Sequence, residues 1–272
     1  MIPFSVLMSL YIREEAGFLQ QCLDSLCQQT LPADEVVLVL DGEITEELQT
    51  IVDAYQAKLP MKVVPLPQNI GLGKALNKGL QHCSHDWVFR MDTDDVCTPD
   101  RFEKQVRFIE NNQDVVLFGG VILEFNQAVN DLNIVKSVPV SNQEIVEYAK
   151  QRCPFNHMTV AYRKDVVVAL GGYQHHLFME DYNLWLRIIG AGHTVANMSD
   201  ILVYARVGNG MHQRRRGWPY IKSEKQLLDL KLALNIQPAL SAYAVFLVRA
   251  GLRVLPSSLL AKFYSTFLRK ES

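Results

Sequence analysis

Apolar positions change their spacing along the chain, and the changes predict a sequence of elements. Phe4-Ser5-Val6-Leu7-Met8-Ser9-Leu10 is a nearly continuous apolar run, the pattern of a strand buried on both faces. Phe18, Leu19, Cys22, Leu23 and Leu26 follow at spacings of three and four, which predicts an amphipathic helix ended by Pro32. Glu35-Val36-Val37-Leu38-Val39-Leu40 is a second buried strand, closed by Asp41-Gly42, and Leu48, Ile51, Val52 and Tyr55 predict the next helix. A short strand over 62–66 follows, then a helix opened by Gly71-Leu72-Gly73, then a fourth strand, Trp87-Val88-Phe89-Arg90-Met91. Strand and helix alternating four times predict a parallel sheet with helices on both faces. Ligands of such sheets bind beyond the carboxyl ends of the strands. That rule selects 9–11, Asp41-Gly42, 69–74 and 92–95.

The second half is less regular. Strands are expected over 115–123, 158–162, 193–195 and 201–204, and a helix over 181–189. A helix from Tyr220 to Leu234 is broken by Asn235-Ile236-Gln237-Pro238, and two more are expected over 239–254 and 257–268, split at Pro256.

Composition narrows the class. The chain has 272 residues, 49% of them apolar and 21% charged, enough for a core without a metal or disulfide staple. Its five cysteines lack paired spacing, so a reducing compartment fits better than a disulfide framework. The first residues lack the basic and apolar regions of a signal peptide. The formal net charge of −2 conceals an asymmetry: residues 1–204 carry 15 Lys/Arg against 26 Asp/Glu, whereas 205–272 carry 12 against 3. A basic tail of this kind suits an anionic partner. Neither tail helix has 18 uninterrupted apolar residues, so a basic helix pair lying on an anionic membrane surface is expected rather than a membrane span.

The strongest chemical signal is Asp92-Thr93-Asp94-Asp95 at the end of a buried strand. Carboxylates so close repel one another unless a cation joins them, and a hard divalent ion, Mn²⁺ or Mg²⁺, suits oxygen donors. Thr98-Pro99 behind the cluster reads as the cap and first residue of a helix. Two reaction classes use such a cluster. As Asp-x-Asp-x-Val, residues 92–96 fit the nucleophile motif of haloacid-dehalogenase-like Mg-dependent phosphatases, with Asp92 as nucleophile. That family places its motif on the first strand, and here it lies on the fourth. A non-enzymatic α/β scaffold is a further alternative.

The second class matches more of the chain. Residues 5–11 with Glu14-Glu15, 22–30, 35–42, Asn69-Ile70-Gly71-Leu72-Gly73 continuing to Gly79, the 92–95 cluster with Pro99-Asp100-Arg101-Phe102, and Glu180-Asp181-Tyr182-Asn183-Leu184-Trp185-Leu186-Arg187 together resemble family 2 inverting glycosyltransferases of the GT-A fold. The resemblance covers residues 3–225 and points toward bacterial surface-polysaccharide or O-antigen assembly.

It implies roles, residue by residue. Ser9, Tyr11 and Asp41 would hold the uracil and ribose of a UDP-sugar, while Asn69 and Gly71 would approach its ribose or diphosphate. Asp92 and Asp94 match the first and second acids of the family's Asp-x-Asp, with Asp94 and Asp95 nearest the metal. Asp181 would be the general base, supported by Glu180. His157 and Trp185 would face the acceptor. Arg214 and Arg215 would grip the diphosphate, with His212 a candidate metal ligand.

The fold expected is therefore an α/β GT-A domain over 1–218, mostly parallel, its nucleotide-binding half 1–100 and its acceptor half 101–218. A basic amphipathic extension occupies 219–272. The expected reaction moves a hexose or N-acetylhexosamine from a UDP-sugar to a hydroxyl of a glycan acceptor, a lipid-diphosphate-linked oligosaccharide. The expected location is the cytoplasmic face of the inner membrane, with no nucleic-acid partner.

Overall fold

A computed structural model describes residues 2–129, 131–207 and 217–254. Three strand–helix units and a fourth strand open the chain: β1 (Phe4–Leu10), α1 (Ala16–Cys27), β2 (Glu35–Leu40), α2 (Glu46–Gln56), β3 (Met61–Pro65), α3 (Leu72–His82) and β4 (Trp87–Arg90). Strands β3, β2, β1 and β4 lie side by side and all pair in parallel, as the alternation predicts.

Period two sorts the strand residues between two cores. Phe4, Val6, Met8 and Leu10 of β1 join Val36 and Leu38 of β2 and Phe89 of β4 in a cluster completed by α1, α2 and α4 (Arg101–Asn111). Leu7, Val37, Val39 and Val88 face the other way, toward α3 and α7 (Glu180–Gly190). Every β1 and β2 residue except Ser9 and Glu35 is buried, which is why these strands read as unbroken apolar runs.

Beyond β4 the sheet is mixed, so "mostly parallel" describes the first half only. The remaining elements are β5 (Val96–Cys97), β6 (Val115–Phe125), β7 (Ile134–Lys136), α5 (Asn142–Ala149), β8 (Ala161–Arg163), α6 (Lys164–Ala169) and β9 (Thr194–Arg206). β8 enters antiparallel between β4 and β6, and β9 runs parallel to β6 while pairing antiparallel with β5. The strand expected over 158–162 is instead a 3-10 turn at His157–Thr159 followed by β8. The two short strands expected near 193 and 204 are one long strand, held to β6 through register shifts that absorb the intervening polar residues. Helix α4 starts at Arg101, with Asp100 rather than Thr98 at its cap position. The Thr98 hydroxyl instead donates to the Leu202 carbonyl (3.2 Å).

The C-terminal helices are α8 (Trp218–Ala233) and α9 (Ala239–Val254). Tyr220 and Leu227 of α8 join the core shared by α3 and α7. The basic residues of α9 turn inward rather than outward: Arg249 and Arg253 both reach the buried Glu224. Leu240, Tyr243, Leu247 and Val248 form its exposed side. No helix among the described residues is long and apolar enough to cross a membrane. The helix expected over 257–268 lies outside the described residues.

Candidate active site

Parallel pairing brings the predicted strand ends together. Ser9 lies opposite Val39 and Leu7 opposite Arg90, so the residues that follow β1, β2 and β4 leave the sheet at one edge. Ser9 is half-buried there and Tyr11 is exposed.

Asp41 is buried, and its carboxylate accepts the backbone N–H groups of Ile70 (2.7 Å) and Gly71 (3.1 Å). It thus ties the end of β2 to the loop that opens α3. Gly42, at φ +89°, is required at this junction because a Cβ there would stand 2.6 Å from the Asn69 nitrogen. Asn69 donates to the Asp41 carbonyl (3.2 Å), and both Asn69 and Gly71 are exposed along the edge.

Four carboxylates converge at the end of β4. Arg90 is fully buried; it pairs with Asp92 and donates to the Leu7 carbonyl (3.2 Å). Glu14 accepts the Thr93 hydroxyl. Asp95 is buried and accepts the Arg206 N–H (2.7 Å), while Arg206 Nε donates to the Asp94 carbonyl (3.0 Å). Burial, then the charges of Asp92 and Glu14, push the Asp94 carboxyl up to about 7. Burial, with Asp94 and Asp92, holds Asp95 well above the usual range, and burial also raises Glu14. Carboxylates in this condition have too little positive charge around them. No cage of three metal-ligating side chains forms among the described residues. The donors that remain are hard oxygens on one side of an open edge, which suits a divalent ion completing its shell with phosphate oxygens.

A second acidic pair comes from the opposite core. Glu180 and Asp181 open α7, where carboxylates favour the helix dipole. Glu180 packs beside Gly73 of α3, where a Cβ would meet the Glu180 Cβ at 3.4 Å. Burial raises the Glu180 carboxyl. Asp181 is half-buried, with the Cys153 thiol 3.8 Å from its Oδ2. Burial drives that thiol's pKa well up, with Asp181 adding to the rise, so it is no nucleophile. His157 feels the charge of both acidic groups. Its Nε2 is 3.3 Å from the Tyr173 hydroxyl; burial and Arg90 lower its pKa, whereas Asp92 and Asp181 act against that shift.

Trp185 is no acceptor platform. It is fully buried, with its ring centroid 5.7 Å from that of Phe155 and 6.4 Å from that of Tyr173, because its helical spacing puts it on the core face of α7. Arg214, Arg215 and His212 lie outside the described residues. The phosphatase alternative fails on position: Asp92 follows the fourth strand and is ion-paired to Arg90.

Sequence reasoning gives no site role to Arg90, Glu14, Tyr173 and Asn77, although Glu14 and Asn77 lie in motifs that carry the resemblance. An arginine in an otherwise apolar strand was the available sign for Arg90, since a buried charge must be paired. Asn77 clamps the loop before α7: it accepts the Tyr173 N–H (2.8 Å) and donates to the Tyr173 carbonyl (2.6 Å). No local pattern marks that contact.

Comparison with known proteins agrees with this geometry. The model of "Glycosyl transferase family 2" matches residues 5–167. The amylovoran biosynthesis glycosyltransferase AmsE of Erwinia amylovora is 50% identical over 261 residues, 96% of this chain and 97% of that one. An Escherichia coli UDP-Gal:alpha-D-GlcNAc-diphosphoundecaprenol beta-1,3-galactosyltransferase is 36% identical over 267 residues, 98% and 97% of the two chains. Among solved structures, Staphylococcus aureus TarS 1–349 in complex with UDP-GlcNAc superposes with a TM-score of 0.67 at 22% identity, covering 98% of this chain and 76% of that one.

Proposed function

The chain belongs to glycosyl transferase family 2 and is a glycosyltransferase of the GT-A fold, and we propose that it moves a hexose or N-acetylhexosamine from a UDP-sugar to a hydroxyl of a lipid-diphosphate-linked glycan, with inversion. The observation that carries this reading is the meeting of two acidic groups from opposite cores. The 92–95 cluster comes from the sheet edge and Glu180–Asp181 from α7, with His157 and Tyr173 interacting electrostatically with both. A single displacement needs one base and one stabilised leaving group on opposite sides of the anomeric carbon. The relatives support the substrate classes, since one is named for a UDP-Gal donor and a diphosphoundecaprenol-linked acceptor.

In this reading Tyr11 stacks on the uracil, and Ser9 and Asp41 hold the nucleoside against the edge. The backbone of 69–71 approaches the diphosphate. Asp94 and Asp95 hold Mn²⁺ or Mg²⁺, which when bound supplies Lewis-acid stabilisation of the charge on departing UDP. Arg90 fixes Asp92 beneath the cluster, and His157, kept neutral by burial, orients groups between the two acids. Asp181 accepts the proton of the acceptor hydroxyl as that oxygen attacks C1. Glu180, its carboxyl raised by burial, supports the same helix end. The exposed apolar face of α9, Leu240-Tyr243-Leu247-Val248, lies on the cytoplasmic membrane surface where such an acceptor is displayed.

Calorimetric titration of UDP with and without Mn²⁺, followed by UDP release from a panel of UDP-sugars with a lipid-diphosphate acceptor, tests the reaction. Absence of metal-dependent UDP binding sinks it. Liposome flotation of the wild type against Leu240→Ser/Leu247→Ser tests the membrane face, and equal flotation removes that part.

A further inference from the structure

The loop entering α7 and the first turns of α8 line an open surface cavity of about 280 Å³. Leu177 and Trp218 give it an apolar wall, and His175, Lys222, Ser223 and Gln226 supply polar groups. Its walls are braced by hydrogen bonds within the protein. Ser223 Oγ donates to the Leu177 carbonyl (2.5 Å) and Gln226 Nε2 to the His175 carbonyl (2.9 Å). The buried His176 ring lies 2.8 Å from the Ser223 carbonyl and 3.2 Å from Asn183 Nδ2, linking loop, α7 and α8. Phe178, two residues before Glu180, sits at φ +67° with its ring stacked on Tyr220 at 5.2 Å. A bulky side chain in the left-handed region is strained and persists only where its surroundings enforce it.

The cavity's surface is unusual for solvent contact. Trp218 is 70% exposed and Leu177 46%, and the exposed Lys222 forms no ion pair among the described residues. A flat indole beside a free ammonium suits a ligand that joins an apolar face to a negative charge. The C–H face of a pyranose packs on an indole, and a phosphate is a natural partner for a lysine point charge. The nucleotide has no claim on this cavity, because the residues assigned to it follow β1, β2 and β4, whereas the cavity lies between α8 and the loop that leads into Glu180 and Asp181.

We propose that this cavity is the acceptor subsite and takes a sugar linked to diphosphate, its pyranose ring against Trp218 and Leu177 and its phosphate at Lys222. The proposal rests on the transferase reading above and deepens it. The segment that forms the cavity wall runs directly into α7, so the acceptor's seat and the base are set by one braced loop.

The test uses the full chain as wild type, Trp218→Ala and Lys222→Gln, both substitutions being at exposed positions outside the cores. Three probes are titrated: a hexyl diphosphate of N-acetylglucosamine, the hexyl glycoside without phosphate, and hexyl diphosphate without sugar. The expected result is that the wild type prefers the complete probe. Trp218→Ala weakens it at least tenfold and removes the advantage of having the sugar; Lys222→Gln removes the advantage of having the phosphate. Equal affinities in wild type and both variants, or no binding of the complete probe to the wild type, overturn the subsite. UDP titrated with Mn²⁺ into the same samples separates the two failures. Lost UDP binding in the wild type condemns the transferase reading, whereas intact UDP binding beside an indifferent cavity condemns the subsite alone.

Discussion

Two buried charge clusters in this molecule are built on opposite principles. At the end of β4, Glu14, Asp92, Asp94 and Asp95 crowd together with Arg90 and Arg206 as their nearby cations, and Arg206 offers Asp95 its backbone N–H. Between α8 and α9, a single carboxylate, Glu224, receives Arg249 (2.6 Å) and Arg253 (3.2 Å), with Lys231 donating to the Lys150 carbonyl (2.7 Å). The first cluster is short of positive charge and opens on the sheet edge. The second is closed on itself and holds two helices together. Both clusters are unbalanced in charge, so neither burial nor imbalance by itself marks a site; an unbalanced cluster that opens on a strand-end edge does.

Substitutions should separate the two clusters by what they disturb. The largest effect is expected at the second acid group of the open site. Asp181→Asn should lower turnover by roughly 10²–10⁴-fold, the range for loss of a general base, with UDP affinity in Mn²⁺ nearly unchanged by calorimetry. Near-normal transfer by Asp181→Asn, combined with loss in Glu180→Gln, would move the base to the neighbouring carboxylate, which points about 100° away on the helix.

Next comes the closed cluster. Glu224→Gln leaves Arg249 facing a neutral amide in a buried position and should cost about 3–5 kcal/mol of stability. The measurement is denaturant or thermal unfolding, together with UDP titration, which should not change below the melting range. Loss of UDP affinity without loss of stability would show that this cluster belongs to the site after all.

Asp94→Asn should do the reverse. It removes a carboxyl already raised by its neighbours, so metal-free stability should hold or rise, while Mn²⁺-dependent UDP affinity falls by roughly 10–100-fold, the scale of damage at metal sites. A large drop in metal-free melting temperature would make the acidic cluster structural.

The last expected effect is on pH dependence, and its sign differs between the clusters. Asp94 titrates near 7 in the folded chain and lower when unfolded, so the folded state holds the extra proton between about 4 and 7 and stability falls as pH rises through that window. Burial and Arg249 bring Lys231 down to about 7, below its unfolded value of about 10.4. There the unfolded state holds the extra proton, so stability rises from pH 7 toward 10. Subtracting the metal-free melting profiles of Asp94→Asn and Lys231→Met from that of the wild type should give opposite slopes. Mn²⁺ should lift the wild type mainly above pH 7, where Asp94 is ionised.

How much was legible in the sequence varied with the range of the contacts involved. The units from Phe4 to Met91 follow from spacing because β1, β2 and β4 are almost wholly buried and α1, α2 and α3 alternate with them along the chain, although α7 from the far half completes one of the two faces. The polar residues that end those strands were found by the rule that ligands bind at such edges, and Glu180 and Asp181 by family resemblance. Family resemblance offers Trp185 to the acceptor, whereas its helical spacing places it in the core, and the structure sides with the spacing.

The sequence by itself determined the α/β alternation, the acidic strand end, the family and the asymmetry of charge, since all are written in local pattern and composition. Tertiary structure alone decided that the later sheet is mixed, that Arg90 lies buried beneath Asp92, and that Glu180 packs beside Gly73 of α3. It also decided that the arginines of α9 turn toward Glu224 rather than outward, a contact joining residues 25 or more positions apart. Such pairings depend on which surfaces remain to be covered once the early strands have packed, and no window of sequence contains that information.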